Sequence, residues 1–291
     1  MARMALEGGG AMDHATHIAK LLGVPVRTLT GLGASHAWTL FRAELSDGRM
    51  VFVKASDDAG VFAAEAAGLR WLAEGSAELV PEVLGVDASM LVLPWLPEVA
   101  PTPAAATRFG RELAALHANS PDSYGAPWPG WIAELPLDNT PSAGPWGRWY
   151  AEYRLAPYLP RAATHLGVDG VRLLERVIDR IDVIAGPPEP PARIHGDLWS
   201  GNLRWTPDRV VLIDPAAHGG HRETDLAMLA LFGAPHLDRI LSAYNEVHPL
   251  ADGWRTRVPL HQLHHLLVHV VLFGPGYRRQ TLAAAEAALA V

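Results

Sequence analysis

The sequence predicts an α+β chain of two lobes, a small N-terminal lobe on an antiparallel sheet and a mainly helical C-terminal lobe. Three observations predict it. Short runs rich in β-branched and aromatic residues, separated by glycine-bearing turns, fill the chain up to about Leu93. Beyond Thr102 nearly every apolar pattern recurs at helical spacing. With 291 residues, 49% hydrophobic and 19% charged, the chain is long enough for two lobes that each bury a core.

The elements follow in order. Ile18, Leu21 and Leu22 recur at helical spacing before Gly23 and predict a leading helix over 11–22. Segments 24–30, 36–45 and 50–54 read as three antiparallel strands, joined by a turn at Gly31 to Ser35 and by Asp47-Gly48. A helix over 61–73 places Phe62, Ala66, Leu69 and Leu72 on one face, and strands over 83–86 and 90–93 complete a lobe of residues 1–95. The second lobe, 96–291, reads as helices over 103–118, 145–163, 170–185, 222–231, 236–246, 257–273 and 277–290. Its strand-like pieces are 203–205 and 210–213, on either side of a tight turn. The Pro- and Gly-rich stretch 119–145, with Trp128, Trp131 and Trp146, is longer than a connection needs and reads as a functional loop.

Composition narrows the function classes. A net charge of −7 and a pI near 6.0 argue against a general nucleic-acid binder, which needs a basic face to replace phosphate counterions. The absence of Cys removes disulfides, thiolate metal sites and Cys nucleophiles. No signal peptide or run of apolar residues of spanning length is present, so a cytoplasmic protein that binds no membrane is expected, with a monomer favoured.

Phosphoryl transfer asks a protein to cover phosphates, hold Mg²⁺ and orient a hydroxyl, and each part has a candidate. In His195-Gly196-Asp197-Leu198-Trp199-Ser200-Gly201-Asn202 four residues separate Asp197 from Asn202, the spacing at which a carboxylate meets the substrate hydroxyl and an amide oxygen meets Mg²⁺. Asp214 ends an apolar strand and offers oxygen to the same hard cation. Taken singly these are also residues that turns use; in register they predict a catalytic loop. The chain has two Lys, Lys20 and Lys54, against 22 Arg, so a Lys at a strand end points to a compact ammonium for the ATP phosphates. Glu65 on the next helix can pair with it. Gly31 and Gly33 lie where a loop would fold over phosphates, though two glycines in a hairpin need no ligand. Leu93, Pro94, Trp95 and Leu96 join the lobes where the adenine would be read, Pro94 through its carbonyl and Leu96 through its N–H. Neither Lys follows a Walker A pattern, which removes the P-loop class. His261, His265 and His269 recur every fourth residue; without interleaved acids they read as structural or as the rim of a substrate site rather than as metal ligands.

These residues resemble the fructosamine kinase (ketosamine-3-kinase) family, whose fold is similar to those of protein kinases and aminoglycoside phosphotransferases. The resemblance runs from about residue 15 to 280. It is carried by the 195–202 loop, Ile213-Asp214-Pro215-Ala216, Arg222 to Met228, Leu231-Phe232-Gly233, Phe52-Val53-Lys54, Glu65 with Gly68-Leu69, Arg154-Leu155, and Leu272 to Tyr277. It implies an ATP- and Mg²⁺-dependent kinase acting on the 3-hydroxyl of ketosamines, adducts of a sugar with an amine or a protein lysine. The 3-phosphate sheds its sugar, so the reaction repairs glycation. By the same resemblance Asp197 is the proton acceptor, Asn202 and Asp214 hold Mg²⁺, Lys54 binds phosphates and Glu65 orients Lys54; Trp199, His218 and Arg222 are candidate substrate residues. Pro94 stands where the family usually has an acidic residue, and Ala217-His218-Gly219-Gly220 where aromatic residues are common. Two alternatives stay open: an aminoglycoside, choline or sugar kinase of the same fold, and a non-catalytic nucleotide-binding module.

Overall fold

The computed structural model describes residues 8–35, 38–56 and 60–290. Helix α1 (Gly8–Leu22) precedes β1 (Val26–Ser35), β2 (Trp38–Leu45) and β3 (Met50–Ala55), and after α2 (Val61–Ser76) come β4 (Gly85–Val86) and β5 (Met90–Pro94). The strands form one antiparallel sheet in the order β1-β2-β3-β5-β4. Two-residue alternation decides what each face covers. Phe41, Ala43 and Leu45 of β2, Val51 and Val53 of β3, and Met90 and Val92 of β5 pack with Ile18 of α1 on one face. Phe52 and Lys54, with Leu91 and Leu93, belong to the other face, which α2 covers with Phe62, Ala66, Leu69 and Leu72. Lys54 is therefore buried on the side of α2.

Gly31 and Gly33 were expected in a turn, but β1 continues through them to Ser35, with a register shift between the two. The shift marks an irregularity of the bulge kind within the strand. The hairpin tip at 36–37 lies outside the described residues.

The remainder is mainly helical. Thr102 caps α3 (Pro103–Ala118) by accepting from the Ala105 N–H, with Pro103 in the first turn, where its missing N–H leaves no gap. The stretch expected as a loop holds a short hairpin, β6 (Gly130–Ile132) with β7 (Leu135–Leu137). The helix expected over 145–163 is interrupted. α4 (Trp146–Tyr150) opens into a wide π turn at Ala151–Leu155, and α5 (Leu159–Asp179) begins only after Pro157 and is itself broken at Gly167 before α6 (Ile181–Ile184). The wide turn carries buried Arg154, which donates to the carbonyl oxygens of Asp138 and Tyr153 and to Asn139 Oδ1.

Next come β8 (Ala192–Ile194), β9 (Leu203–Trp205), β10 (Val210–Leu212), β11 (His218–Gly220), α7 (Arg222–Leu231), α8 (Leu237–Val247), α9 (Trp254–Phe273) and α10 (Arg278–Leu289). β9 and β10 form the expected hairpin. β8 and β11, three residues each, pair Ile194 with His218, a non-local pairing that no local pattern announced. One apolar core joins α2 and β5 to α3, α7 and α8 through Phe109, Leu113, Leu226, Ile240 and Tyr244, so the sheet rests on the helices through continuous packing. Gly68 of α2 permits this approach, since a Cβ there would lie 3.1 Å from that of Ala217. No helix among the described residues is long and apolar enough to cross a membrane.

Candidate active site

The loop from His195 to Asn202 leaves β8, and its first turn is held from three sides. Gly196 has φ 81°, and a Cβ there would stand 2.3 Å from the Ala216 carbonyl oxygen, so only glycine fits. The N–H groups of His195 and Gly196 donate to the two carboxylate oxygens of Asp225, at 2.7 and 3.0 Å. The Gly196 carbonyl accepts from His265 Nε2 at 2.8 Å. His195 Nδ1 accepts from the Asp197 N–H at 3.2 Å, so its proton is on Nε2, which donates to the Ile213 carbonyl at 2.9 Å. The same imidazole thus ties the Asp197 loop to the residue before Asp214. Burial holds the His195 pKa below the ordinary histidine range, which keeps the ring neutral in that bridging role.

Asn202 is buried, and its amide donates to the Asp197 carbonyl at 2.8 Å and to Asp197 Oδ2 at 3.2 Å. The amide oxygen is the atom left for a cation. Asp214 follows β10 at φ 56°, a left-handed conformation that Asp tolerates better than most residues. Its Oδ1 lies 2.6 Å from Lys54 Nζ, which is also 2.8 Å from both oxygens of Glu65 and 5.0 Å from the ring of Trp38. Burial alone would lower the Lys54 pKa, but the charges of Glu65 and Asp214 outweigh it and hold the amine above its ordinary value as an ammonium. Asp197 is the opposite case. Burial, aided by the charge of Asp214, pushes it up to about 7.

Glu65, Asp197 and Asp214 line one cleft, together with Trp38 of the sheet and Trp128, Trp131 and Ala133 of the segment around β6. A second cavity, of about 510 Å³, opens on the other side of Asp197 and is lined by Trp199, Ser200, Met228, Phe232, His269 and Phe273 among others. Asp197 and Ala133 belong to both. Leu93 and Pro94 pair with Phe52 and Val51 at the end of β5, beyond the reach of β4. The Trp95 N–H donates to the Met50 carbonyl at 3.0 Å, so this amide is already engaged and Leu96 is the next candidate donor.

Two residues expected at the substrate stand elsewhere. The guanidinium of Arg222 is buried and engaged by Glu189 at 2.6 and 2.7 Å and by the carbonyls of His248 and Pro249 at 2.9 and 2.8 Å; it lines neither cavity. His218 is buried against Trp149, its Nδ1 is 2.8 Å from the Ala216 carbonyl, and it also lines neither. Arg222 ties α7 to distant segments, and His218 packs inside the fold. His261 does meet an acid, Glu223, through the fold rather than through its own helix. Among the described residues His221, Glu223 and His261 are the one group close enough to share a metal, but the Glu223 carboxylate is taken up by Arg257 at 2.6 and 3.0 Å. That cluster is a buried ion network.

In the sequence Asp225 stands out only as part of the Arg222 to Met228 motif. It is fully buried and also 3.1 Å from His117 Nε2, whose Nδ1 is 2.9 Å from the Tyr244 hydroxyl. Burial would raise its pKa; the hydrogen bonds it accepts, from the His117 side chain and the His195 N–H among others, outweigh this and keep it low. The available signal was its place in the first turn of a helix, which seldom means more than a favourable dipole.

Residues 16–290 match the sequence model of the fructosamine kinase family. The chain belongs to this family. A Thermus thermophilus protein named a probable ketoamine kinase is 35% identical over 255 residues, which cover 87% of this chain and 90% of that one. A crystallised Thermobifida fusca protein, assigned as a fructosamine-3-kinase, superposes with a TM-score of 0.92 at 55% identity, covering 95% and 98% of the two chains. A macrolide 2′-phosphotransferase at 19% identity and TM-score 0.66, covering 99% of each chain, shares the protein-kinase-like fold alone. The expected α+β bilobal architecture is therefore the one this fructosamine kinase family member has.

Proposed function

We propose that this protein transfers the γ-phosphoryl group of ATP to the 3-hydroxyl of ketosamines such as fructosamines and ribulosamines, and so takes part in the repair of glycated amines. Family membership implies ATP as the donor. The observation that carries the reading is the position of Asp197, on the wall common to the cleft with Glu65 and Asp214 and an aromatic cavity able to take a sugar adduct. On this reading the lobes divide near residue 95, with the nucleotide between them, Pro94 and Leu96 reading the adenine, and the Gly31 to Gly33 strand over the phosphates. Lys54 orients the α- and β-phosphates under the hold of Glu65. The Asp214 carboxylate and the Asn202 amide oxygen are the hard donors suited to Mg²⁺, which neutralises phosphate charge when bound with the nucleotide. The Asp197 carboxylate accepts the hydrogen bond of the acceptor hydroxyl, aims its oxygen at the γ-phosphorus and takes its proton as the new P–O bond forms and the bond from that phosphorus to the β,γ-bridging oxygen breaks, releasing ADP. The reading includes a cytoplasmic monomer that binds neither nucleic acid nor membrane.

A coupled ADP-release assay with a ribulosamine or fructosamine, an aminoglycoside and choline tests it. Turnover of the ketosamine is expected; turnover of an aminoglycoside or choline alone would overturn the assignment.

The pH profile supplies a second check. A base with a pKa near 7 must be ionised to work, so kcat/KM for MgATP, which reports the nucleotide-free enzyme, falls about tenfold per pH unit below that value. Bound cation offsets the charge of Asp214, so the same limb in kcat lies at lower pH. A kcat/KM that is flat from mildly acidic to mildly alkaline pH would exclude Asp197 as the base.

A further inference from the structure

We propose that the cavity beyond Asp197 holds an aromatic subsite for the amine half of the acceptor, so that ketosamines of aromatic or apolar amines are preferred over those of acidic amino acids. This rests on the ketosamine reading above and goes further by naming the substituent.

The three most exposed Trp, Phe and Tyr side chains among the described residues are Trp199 at 39%, Phe232 at 38% and Phe273 at 55%, and all three line this one cavity. Exposed aromatic groups scattered singly need no explanation; convergence on one concave site does. The rings form a continuous wall. Trp199 meets Phe232 edge to face at 6.2 Å, Phe232 meets His269 at 5.2 Å, and His269 meets Phe273 and Tyr277 at 5.5 and 4.7 Å. The wall begins two residues past Asp197 and ends at the 3₁₀ turn Gly274–Tyr277 after α9.

Charge decides what such a wall accepts. Asp197 is the one acidic residue in the lining, which contains no Lys or Arg, so a carboxylate on the substituent would find no cation and would face Asp197. The secondary ammonium of a ketosamine suits the faces of aromatic rings, which attract a cation without an acid. A volume of about 510 Å³ lies within the range of sites that enclose a whole small-molecule ligand. With the sugar against Asp197 and Ser200, the substituent runs along Phe232 toward Phe273 and Tyr277.

Fructose adducts of benzylamine, methylamine and aspartate separate the outcomes. The benzylamine adduct is expected to have a kcat/KM about tenfold above that of the methylamine adduct, carried mostly by KM, with the aspartate adduct lowest. Phe273→Ala and Phe232→Ala, at exposed positions where an unchanged Tm verifies the fold, shrink the benzylamine advantage to about threefold or less. Equal kcat/KM across the three adducts, or variants that lower all three alike, would overturn the subsite and leave the kinase reading standing. No turnover of any adduct would overturn that reading, and the subsite with it.

Discussion

Asp197→Asn is expected to lower kcat by about a thousandfold while KM for MgATP stays within a few-fold of the parent value. The amide keeps the shape of the side chain but cannot accept the proton of the acceptor hydroxyl. The same substitution is expected to stabilise the fold in mild alkali, and the sign follows from linkage. Asp197 titrates near 7 in the folded chain against an ordinary value of 3.8, so between those values the unfolded state binds fewer protons than the folded one. Stability conferred by the protonated acid is complete below about pH 4, is lost as pH rises toward 7, and stays lost above it. Asparagine never ionises. At pH 8 its variant should therefore melt a few degrees above the parent, and at pH 4 with it. A quarter of the side chain is exposed, so the gain is on the order of 1–2 kcal/mol rather than the full value of the shift. A damaged fold would lower activity and Tm together, whereas a lost base lowers one and raises the other. Activity within tenfold of the parent would remove Asp197 from the mechanism.

How much of this was legible in the sequence depends on how local each interaction is. Asp197 and Asn202 lie in one short loop, and the bonds from Asn202 to the Asp197 carbonyl and carboxylate stay within it, so spacing alone revealed the pair. Lys54 and Glu65 were legible as candidates from their places at a strand end and on the next helix, but that the two side chains meet is decided by how α2 packs on the sheet, which the sequence does not show. Arg222 was misplaced because its partner, Glu189, stands 33 residues upstream in a proline-rich segment without periodicity. The strands β6, β8 and β11 are three residues long, too short to show an alternation, and exist because tertiary pairing supplies their partners. Gly31 and Gly33 carry the composition of a turn, yet the long pairing with β2 overrides it. The π turn at Ala151–Leu155 carries the buried guanidinium of Arg154 to the Asp138 carbonyl and the Asn139 amide, partners that no helical pattern in the sequence contains.

Asp225→Ala is expected to destabilise the protein by about 3–5 kcal/mol, read as a lower urea midpoint at unchanged slope. The carboxylate is fully buried and serves the His195 and Gly196 N–H groups and His117 together, so its removal leaves several buried donors without an acceptor. The order of related variants tests this account against a simple loss of volume. Asp225→Asn fills the same space and keeps one acceptor oxygen, but turns an N–H₂ toward a donor, so its loss is smaller and still above about 1 kcal/mol. His117→Phe removes one donor to Asp225 and the nitrogen that meets the Tyr244 hydroxyl, retains a ring against Tyr244, and should lose less than Asp225→Ala. If volume were all that mattered, Asp225→Asn would equal the parent. Where Asp225→Asn folds, the clamp predicts a further signature. The turn it holds aims Asp197, whereas Lys54, Glu65 and Asp214 keep their own contacts, so kcat should fall while KM for MgATP stays near the parent value. A variant that loses nucleotide affinity and kcat in equal measure would show instead that Asp225 supports the cleft as a whole.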